Sequence, residues 1–309
     1  MYCLSANVKR YGRSAHGRQR WYCLVCHRTY SWRWKQQKPA RRFLWFKLWI
    51  VEGYSIREIA ELNRVSSSTV RRVIHFWLQQ TPQDTRGRSP AKHIIFDGTL
   101  LHRRCGVYAA MDAEQHTLVA AAYNVSEGAR DLVSFYTQLA ASGVIPESAT
   151  IDGNTAEMKH LRAVWPSILL QRCIVHLQRQ GLSWCRRHPK RTDATHLRLL
   201  FLQLPEVHTQ AERERFLKRV AAWEHRFGPR IQTSANRGWV FSDLMRARSM
   251  LLKALPNLFH YLRNPKIARS TNALEGYFSR LKEHYRLHRG LSRKNRETYF
   301  QWYFYLIPK

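Results

Sequence analysis

Apolar positions change rhythm several times along the chain, and each rhythm predicts a different kind of element. The first 38 residues hold no apolar repeat long enough for a buried helix. Arg, Gly, Tyr and Trp interleave there with three cysteines, so something other than a core has to hold the segment together. From Ala40 to Gln80 the spacing turns helical, with Leu44, Leu48 and Val51, then Ile56, Ile59 and Ala60, then Val70, Val73, Ile74 and Trp77. Thr81 to Pro90, TPQDTRGRSP, reads as a linker. Short apolar runs then predict strands over 93–96, 106–111 and 117–123, a helix over 129–141, a strand over 149–151, a helix over 155–164 and a strand over 168–172. From Gln178 to Tyr261 the pattern is helical and basic, and a last helical stretch begins near Asn272. Three strands, helix, strand, helix, strand is a mixed α/β order.

Composition narrows the partners. Hydrophobic residues at 44% and aromatics at 12% of 309 residues supply cores for two to four folded units, which excludes a largely disordered chain despite a mean hydropathy of −0.49. Fifty-two Lys and Arg against 21 Asp and Glu give a formal charge of +31. Such an excess repels itself unless a polyanion neutralises it, so nucleic acid is the leading partner. A membrane-surface protein would need an amphipathic basic helix or an anchor, and neither is evident. No apolar run reaches the length of a spanning helix, Phe43 to Val51 being broken by Lys47, and Met1-Tyr2-Cys3 does not open a signal peptide. Cysteines at 3, 23, 26, 105, 173 and 185 do not form an extracellular disulfide framework in a chain of this length. A reducing cytosol, with some thiols on metal, fits them.

Cys23-Leu-Val-Cys26 lies among aromatic and basic residues, with Cys3 upstream as a third thiolate. Structural zinc takes four tetrahedral ligands, so the set is one short; His16 or His27 is available, although His27 directly follows Cys26. Zn²⁺ on Cys3, Cys23 and Cys26 is the expectation, with plain buried thiols as the alternative. The segment resembles a zinc ribbon whose leading CxxC lacks its first cysteine, as in a truncated element. Next, SIREIAELNRVSSSTVRRVIHFW resembles a helix-turn-helix. Ser55 and Glu58 form a capping box, Val65 plugs the turn, and Arg64 stands near the usual glycine. That leaves Ser67, Ser68, Arg71, Arg72 and His75 outward, suited to phosphates and groove edges. An ordinary helical hairpin with a solvated basic face would leave the same pattern.

Acids are scarce in the central region, so the place of each is informative. Asp97 ends the apolar run HIIF and Asp152 ends ATI, each followed by Gly, where a carboxylate can project from a strand end. Glu275 stands near the start of a helix in STNALEGYFSRLK. Three carboxylates from two strands and a helix can hold a pair of Mg²⁺ or Mn²⁺ ions for phosphoryl transfer. Separately each has an ordinary reading: Asp-Gly is a turn signal, and Glu275 is three residues after Asn272 as in a capping box. Asp112 in AAMDAEQHT is most simply part of a turn between two strands.

Asp97 in IIFDGT, Asp152 in TIDGN, Cys173-x2-His176 in QRCIVHLQR, and Asn272-x2-Glu275, in that order, resemble the mutator-type insertion-sequence transposases. The likeness is to the zinc-binding variant and covers nearly the whole chain. The resemblance implies a ribonuclease-H-like catalytic core, in parts 91–180 and 262–309, with an all-α insertion at 181–261. A zinc-ribbon-like segment (1–38) and a helix-turn-helix with linker (39–90) precede it. It implies a metal-dependent transposase whose Asp97, Asp152 and Glu275 hold Mg²⁺, cutting double-stranded DNA at terminal inverted repeats and joining the 3′ ends to target DNA. Cys173, His176 and Asn272 are expected to support that centre. A homodimer or larger assembly on DNA, without a membrane, in the bacterial cytoplasm at the nucleoid, follows from that role. A second C-x2-H, Cys185 and His188, leaves open a further zinc site, and packing alone would equally account for Cys173. In the tail, Arg280, Lys282, Arg286 and Arg289 can track a DNA backbone, while Tyr299, Phe300, Trp302 and Phe304 are expected to close a core. The competing functions are a catalytically inactive or host-adopted DNA-binding regulator on the same fold, and a structure-selective nuclease.

Overall fold

The computed structural model describes residues 3, 5–31, 37–82, 91–102, 105–125, 129–233, 239–288 and 290–309. Most of the expected linker and Arg289 lie outside them. The chain divides into two compact units, Met1–Gln79 and Gln80–Lys309. No helix among the described residues is long and apolar enough to cross a membrane.

In the first unit, strands β1 (Val8–Arg13), β2 (Gln19–Cys23) and β3 (Thr29–Ser31) form an antiparallel sheet in that order. Helices α1 (Gln37–Val51), α2 (Ile56–Leu62) and α3 (Ser67–Leu78) follow. The apolar face of α1 differs from the expected one. Trp45, Phe46, Trp49 and Ile50 are buried, whereas Leu44 is 52% exposed. The aromatics prevail because they bury more area per side chain. Phe46 stacks on Trp77 of α3 at 6.1 Å, and Trp45 Nε1 donates to Asn63 Oδ1 at 2.8 Å. The capping box is present in full: Ser55 N–H donates to Glu58 Oε2 at 2.7 Å, and Glu58 N–H to Ser55 Oγ at 3.2 Å. Between α2 and α3, Arg64 takes φ 51°, the left-handed conformation that a glycine would hold without strain.

The second unit is α/β. Its sheet runs β6 (Leu118–Tyr123), β5 (Cys105–Asp112), β4 (His93–His102), β7 (Ser148–Ile151), β8 (Leu169–Arg172). The pairs β4–β5 and β5–β6 are antiparallel, and β4–β7 and β7–β8 are parallel, so the sheet is mixed. Against one face, Ile94, Phe96, Tyr108 and Ile151 pack with Leu132, Tyr136 and Leu139 of α4 (Ala129–Ala141) and Leu161 of α5 (Thr155–Val164). Ile95, on the opposite face, is equally buried. Burial on both faces accounts for the continuous apolar run before Asp97. β4 also continues past Asp97 to His102, so Asp97 lies within a strand and not at its end.

Helices α6 (Ile174–Cys185), α7 (Thr192–Gln203), α8 (Gln210–Thr233) and α9 (Trp239–Ala254) share a separate core that includes Leu177, Leu197, Phe201, Phe216, Trp223, Leu244 and Leu251. This helical layer begins at Ile174, directly after β8 and ahead of the expected start at 181. α6 and α7 approach closely, since a Cβ on Gly181 would lie 2.3 Å from the Phe201 ring. Helices α10 (Asn272–Arg286) and α11 (Arg293–Leu306) return to the sheet. Tyr299, Phe300, Trp302 and Phe304 are buried, and Phe300 stacks on Tyr123 of β6 at 4.5 Å.

Candidate functional site

β4 and β7 set the first two acids side by side. Their last pairs are His93–Ser148, Ile94–Ala149 and Ile95–Thr150. Asp97 and Asp152 each follow the first of these pairs by four residues, so the register that aligns the strands sets the acids level, two residues past the point where the parallel pairing ends. Crevices outside the carboxyl ends of parallel strands are the usual ligand sites of such sheets. Asp152 also makes a turn, as Asp-Gly predicted: Asn154 N–H donates to Asp152 Oδ1 at 2.9 Å, and Gly153 takes φ 95°. A Cβ at Gly153 would sit 1.9 Å from the Arg172 guanidinium, which donates to the Asp152 carbonyl at 3.4 Å. Asp97 Oδ1 accepts from Gly98 N–H at 2.8 Å.

Glu275 arrives on the first turn of α10, which packs on β4. The helix cap is Thr271, without a side-chain capping bond, so Glu275 is not half of a capping box. Its carboxylate turns instead to α6. Arg179 Nη1 donates to Oε1 at 3.1 Å and to Oε2 at 3.0 Å, and His176 Nε2 lies 3.5 Å from Oε1. Cys173 caps α6 and is fully buried. Its Sγ accepts from His176 N–H at 3.5 Å and from Thr271 N–H at 3.4 Å, and His176 Nδ1 lies 3.3 Å from Thr271 Oγ1. The C-x2-H pair thus clamps the residue preceding α10. Asn272, its first residue, has an exposed side chain lining a neighbouring cleft of about 800 Å³ with His116, His208, Lys266 and Arg269.

Electrostatics link these groups. Burial pushes the Asp97 carboxyl up to about 7, helped by the charges of Asp152 and Glu275 and opposed by Gly98 N–H and the His176 charge. The Cys173 thiol raises His176 to about 9, with Asp97 and Glu275 adding to it. Burial alone would raise Cys173, but bonds from His176 and the Thr271 backbone hold it below its ordinary value. The three acids are near enough to feel one another, yet their oxygens do not all come within 4.8 Å. Among the described residues the one metal-competent group that tight is Cys3, Cys23 and Cys26.

Those three cysteines lie in the first unit, with Cys3 Sγ 3.4 Å from Cys23 Sγ, and form a group able to hold a metal such as zinc. Backbone N–H groups of Cys26 and Val25 lower Cys23 to about 7, toward the thiolate that a metal requires. Neither His16 nor His27 joins the group, and His27 Nδ1 lies 3.0 Å from Tyr22 OH. Cys185 and His188 form no second centre. Cys185 packs in the helical core with its thiol raised to about 12 by burial, some 18 Å of helix from Cys173. Asp112 is a turn acid, accepting from Glu114 N–H at 2.8 Å and Gln115 N–H at 3.0 Å.

Ser68, Arg71, Arg72 and His75 are exposed on α3 and Ser67 is half-buried there. Arg280 is exposed, with its guanidinium 5.9 Å from the Tyr277 ring centre, and Lys282 is half-buried.

Several residues of the site escape sequence reading. Glu157 on α5 is 5% exposed and bonded by Tyr108 OH and by Tyr136 OH, the latter at 3.0 Å. Burial and the Asp152 charge raise it to about 8. Gln171 on β8 donates to Leu258 O at 2.8 Å and accepts from His260 N–H at 2.9 Å, and Thr150 donates to Ala268 O at 2.6 Å. They fix the segment that leads into α10. Their one sequence signal is a polar residue inside an apolar strand run. No protein-family model matches the chain, and no curated protein matches it.

Proposed function

We propose that the chain is a metal-dependent DNA transposase of the mutator-type insertion-sequence kind, built on a ribonuclease-H-like core. The observation that carries this reading is the convergence of Asp97, Asp152 and Glu275 from two neighbouring parallel strands, just past their last paired residues, and one late helix, close enough for each acid to raise Asp97. The sheet order, with an antiparallel meander on one side of β4 and parallel strands on the other, supports the core assignment.

The donor set fits hard divalent ions. Asp97, with its anionic form disfavoured by burial and two like charges, gains from a cation beside it. Asp97, Asp152 and Glu275 would hold the ions, their carboxylates supplying the hard oxygen ligands that such cations prefer. Mg²⁺ or Mn²⁺ bound there would supply charge neutralisation for the phosphate and for the attacking and leaving oxygens. His176, cationic at neutral pH, adds positive charge beside the site. In the first step water joins the phosphorus at the element end and a 3′ hydroxyl leaves. In the second that hydroxyl attacks a target phosphodiester and displaces another 3′ oxygen. The α3 face reads the inverted repeat, Arg280 and Lys282 track the backbone, and a zinc-bound Cys3, Cys23 and Cys26 steadies the amino-terminal sheet. Two ends handled together call for a dimer or larger assembly in the bacterial cytoplasm.

The test is Mg²⁺-dependent nicking of a duplex carrying the element's terminal repeat, with wild type and Asp97→Ala. Nicking by wild type alone is expected. Equal inertness with DNA binding retained would instead make the protein a DNA-binding regulator, and cleavage indifferent to end sequence would make it a nuclease.

A further inference from the structure

The three acids are not equally available. Asp97 and Asp152 are bonded through backbone N–H groups of Gly98 and Asn154. Glu275 is gripped at both oxygens by one guanidinium, at 3.0 and 3.1 Å, with His176 on the same side. Arg179 follows His176 by three residues on α6, so both reach α10 from one helix face. The Glu275 side chain is 30% exposed and that of Arg179 is 60% exposed, so the guanidinium has room to swing away.

We propose that Arg179 is a positioning residue that holds the Glu275 carboxylate until a divalent ion takes it, and then grips a backbone phosphate of the DNA. The inference rests on the catalytic reading given above. A cation must displace the guanidinium from at least one oxygen of Glu275 before that acid can act as a ligand. One nitrogen, Nη1, serves both carboxylate oxygens, so a guanidinium released from Glu275 has its whole planar fork to offer a phosphate bidentately, which a lysine lacks. Among the described residues the acid that Arg179 pairs with is Glu275, and a phosphodiester brought to the carboxylates would offer the released guanidinium an anion in its place. Arg179 thus links filling of the metal site to tightening on DNA.

Two measurements on the full chain test this. Calorimetric titration with Mn²⁺ in the absence of DNA should show Arg179→Ala binding the ion about two- to fivefold more tightly than wild type, the worth of a partly exposed ion pair. Fluorescence anisotropy with a duplex should show wild type gaining affinity when Ca²⁺ is added, and Arg179→Ala losing about fivefold of that gain, with Arg179→Lys recovering part of it. Opposite shifts in ion and DNA affinity do not arise from loosened folding, which would weaken both and overturn the proposal. Unchanged ion affinity and an undiminished Ca²⁺ effect in Arg179→Ala would also overturn it. Asp97→Ala separates the two levels. If it takes up Mn²⁺ as wild type does, the catalytic reading fails and this inference with it; if it does not, failure in Arg179→Ala is a failure of this inference alone.

Discussion

Asp97 carries a charge that the fold disfavours, and its pH behaviour follows. Its carboxyl is pushed up from 3.8 to about 7 by burial, with two acids beside it. Below about pH 3 it is largely neutral in both states. As pH rises toward 7 the unfolded chain ionises first, so the metal-free folded state loses stability, and above about 7 the penalty is complete. Asp97→Asn should therefore stabilise the metal-free protein at pH 8 by about 1–2 kcal/mol once solvent screening of a half-buried group is allowed for, read as a raised melting temperature, and change little at pH 3. Divalent binding should weaken as pH falls below about 7, because the ion then competes with a proton; calorimetry across pH 6 to 8 checks this. Acids stand out in so basic a chain, and this made Asp97, Asp152 and Glu275 visible in the sequence. Arg179 had no such contrast, being one among 52 Lys and Arg, and its role depends on a partner 96 residues away.

At the scale of elements, helix contacts and strand ends govern what can be changed. Gly181→Ala puts a methyl where the Phe201 ring already lies, and should destabilise the second unit by about 1–3 kcal/mol in chemical denaturation. Gln171→Leu removes both partners of the segment before α10, leaving Leu258 O and His260 N–H without their bonds. A loss of about 1–3 kcal/mol is expected, with weaker Mn²⁺ binding as the readout that the effect reaches Glu275. The strands and helices of the second unit were largely legible, since α4 and α5 run over the residues that their periodicity marks. The strand bearing Asp97 is longer than the apolar run 93–96 predicts, because an acid after such a run looks like an end. It continues because β5 pairs with it through His102 while β7 stops pairing at Ile95. The spacing of Leu44, Leu48 and Val51 misplaces the buried face of α1, because hydrophobic spacing alone does not show that the larger Trp45, Phe46 and Trp49 take the interior. The amino-terminal strands showed no apolar alternation, their side chains being mostly half-buried or exposed.

For the whole molecule, charge and the cysteine group make separate predictions. A formal charge of +31 should give DNA affinity that falls steeply with salt, its log–log slope shrinking by about one for each phosphate-contacting cation removed, as for Arg71→Ala or Arg72→Ala in anisotropy titrations. Native mass spectrometry should find one zinc per chain, lost in Cys23→Ser, with the melting of residues 80–309 unaffected because the two units have separate interiors.

The stretch between α9 and α10 is stitched to the sheet through His93 to Asn264, Gln171 to Leu258 and His260, and Thr150 to Ala268, and to the start of α6 through Ile174 to Arg269. The entry to α10 thus shares its anchors with β8 and the first turn of α6, so a change that shifts that junction would be passed on to the placing of Glu275.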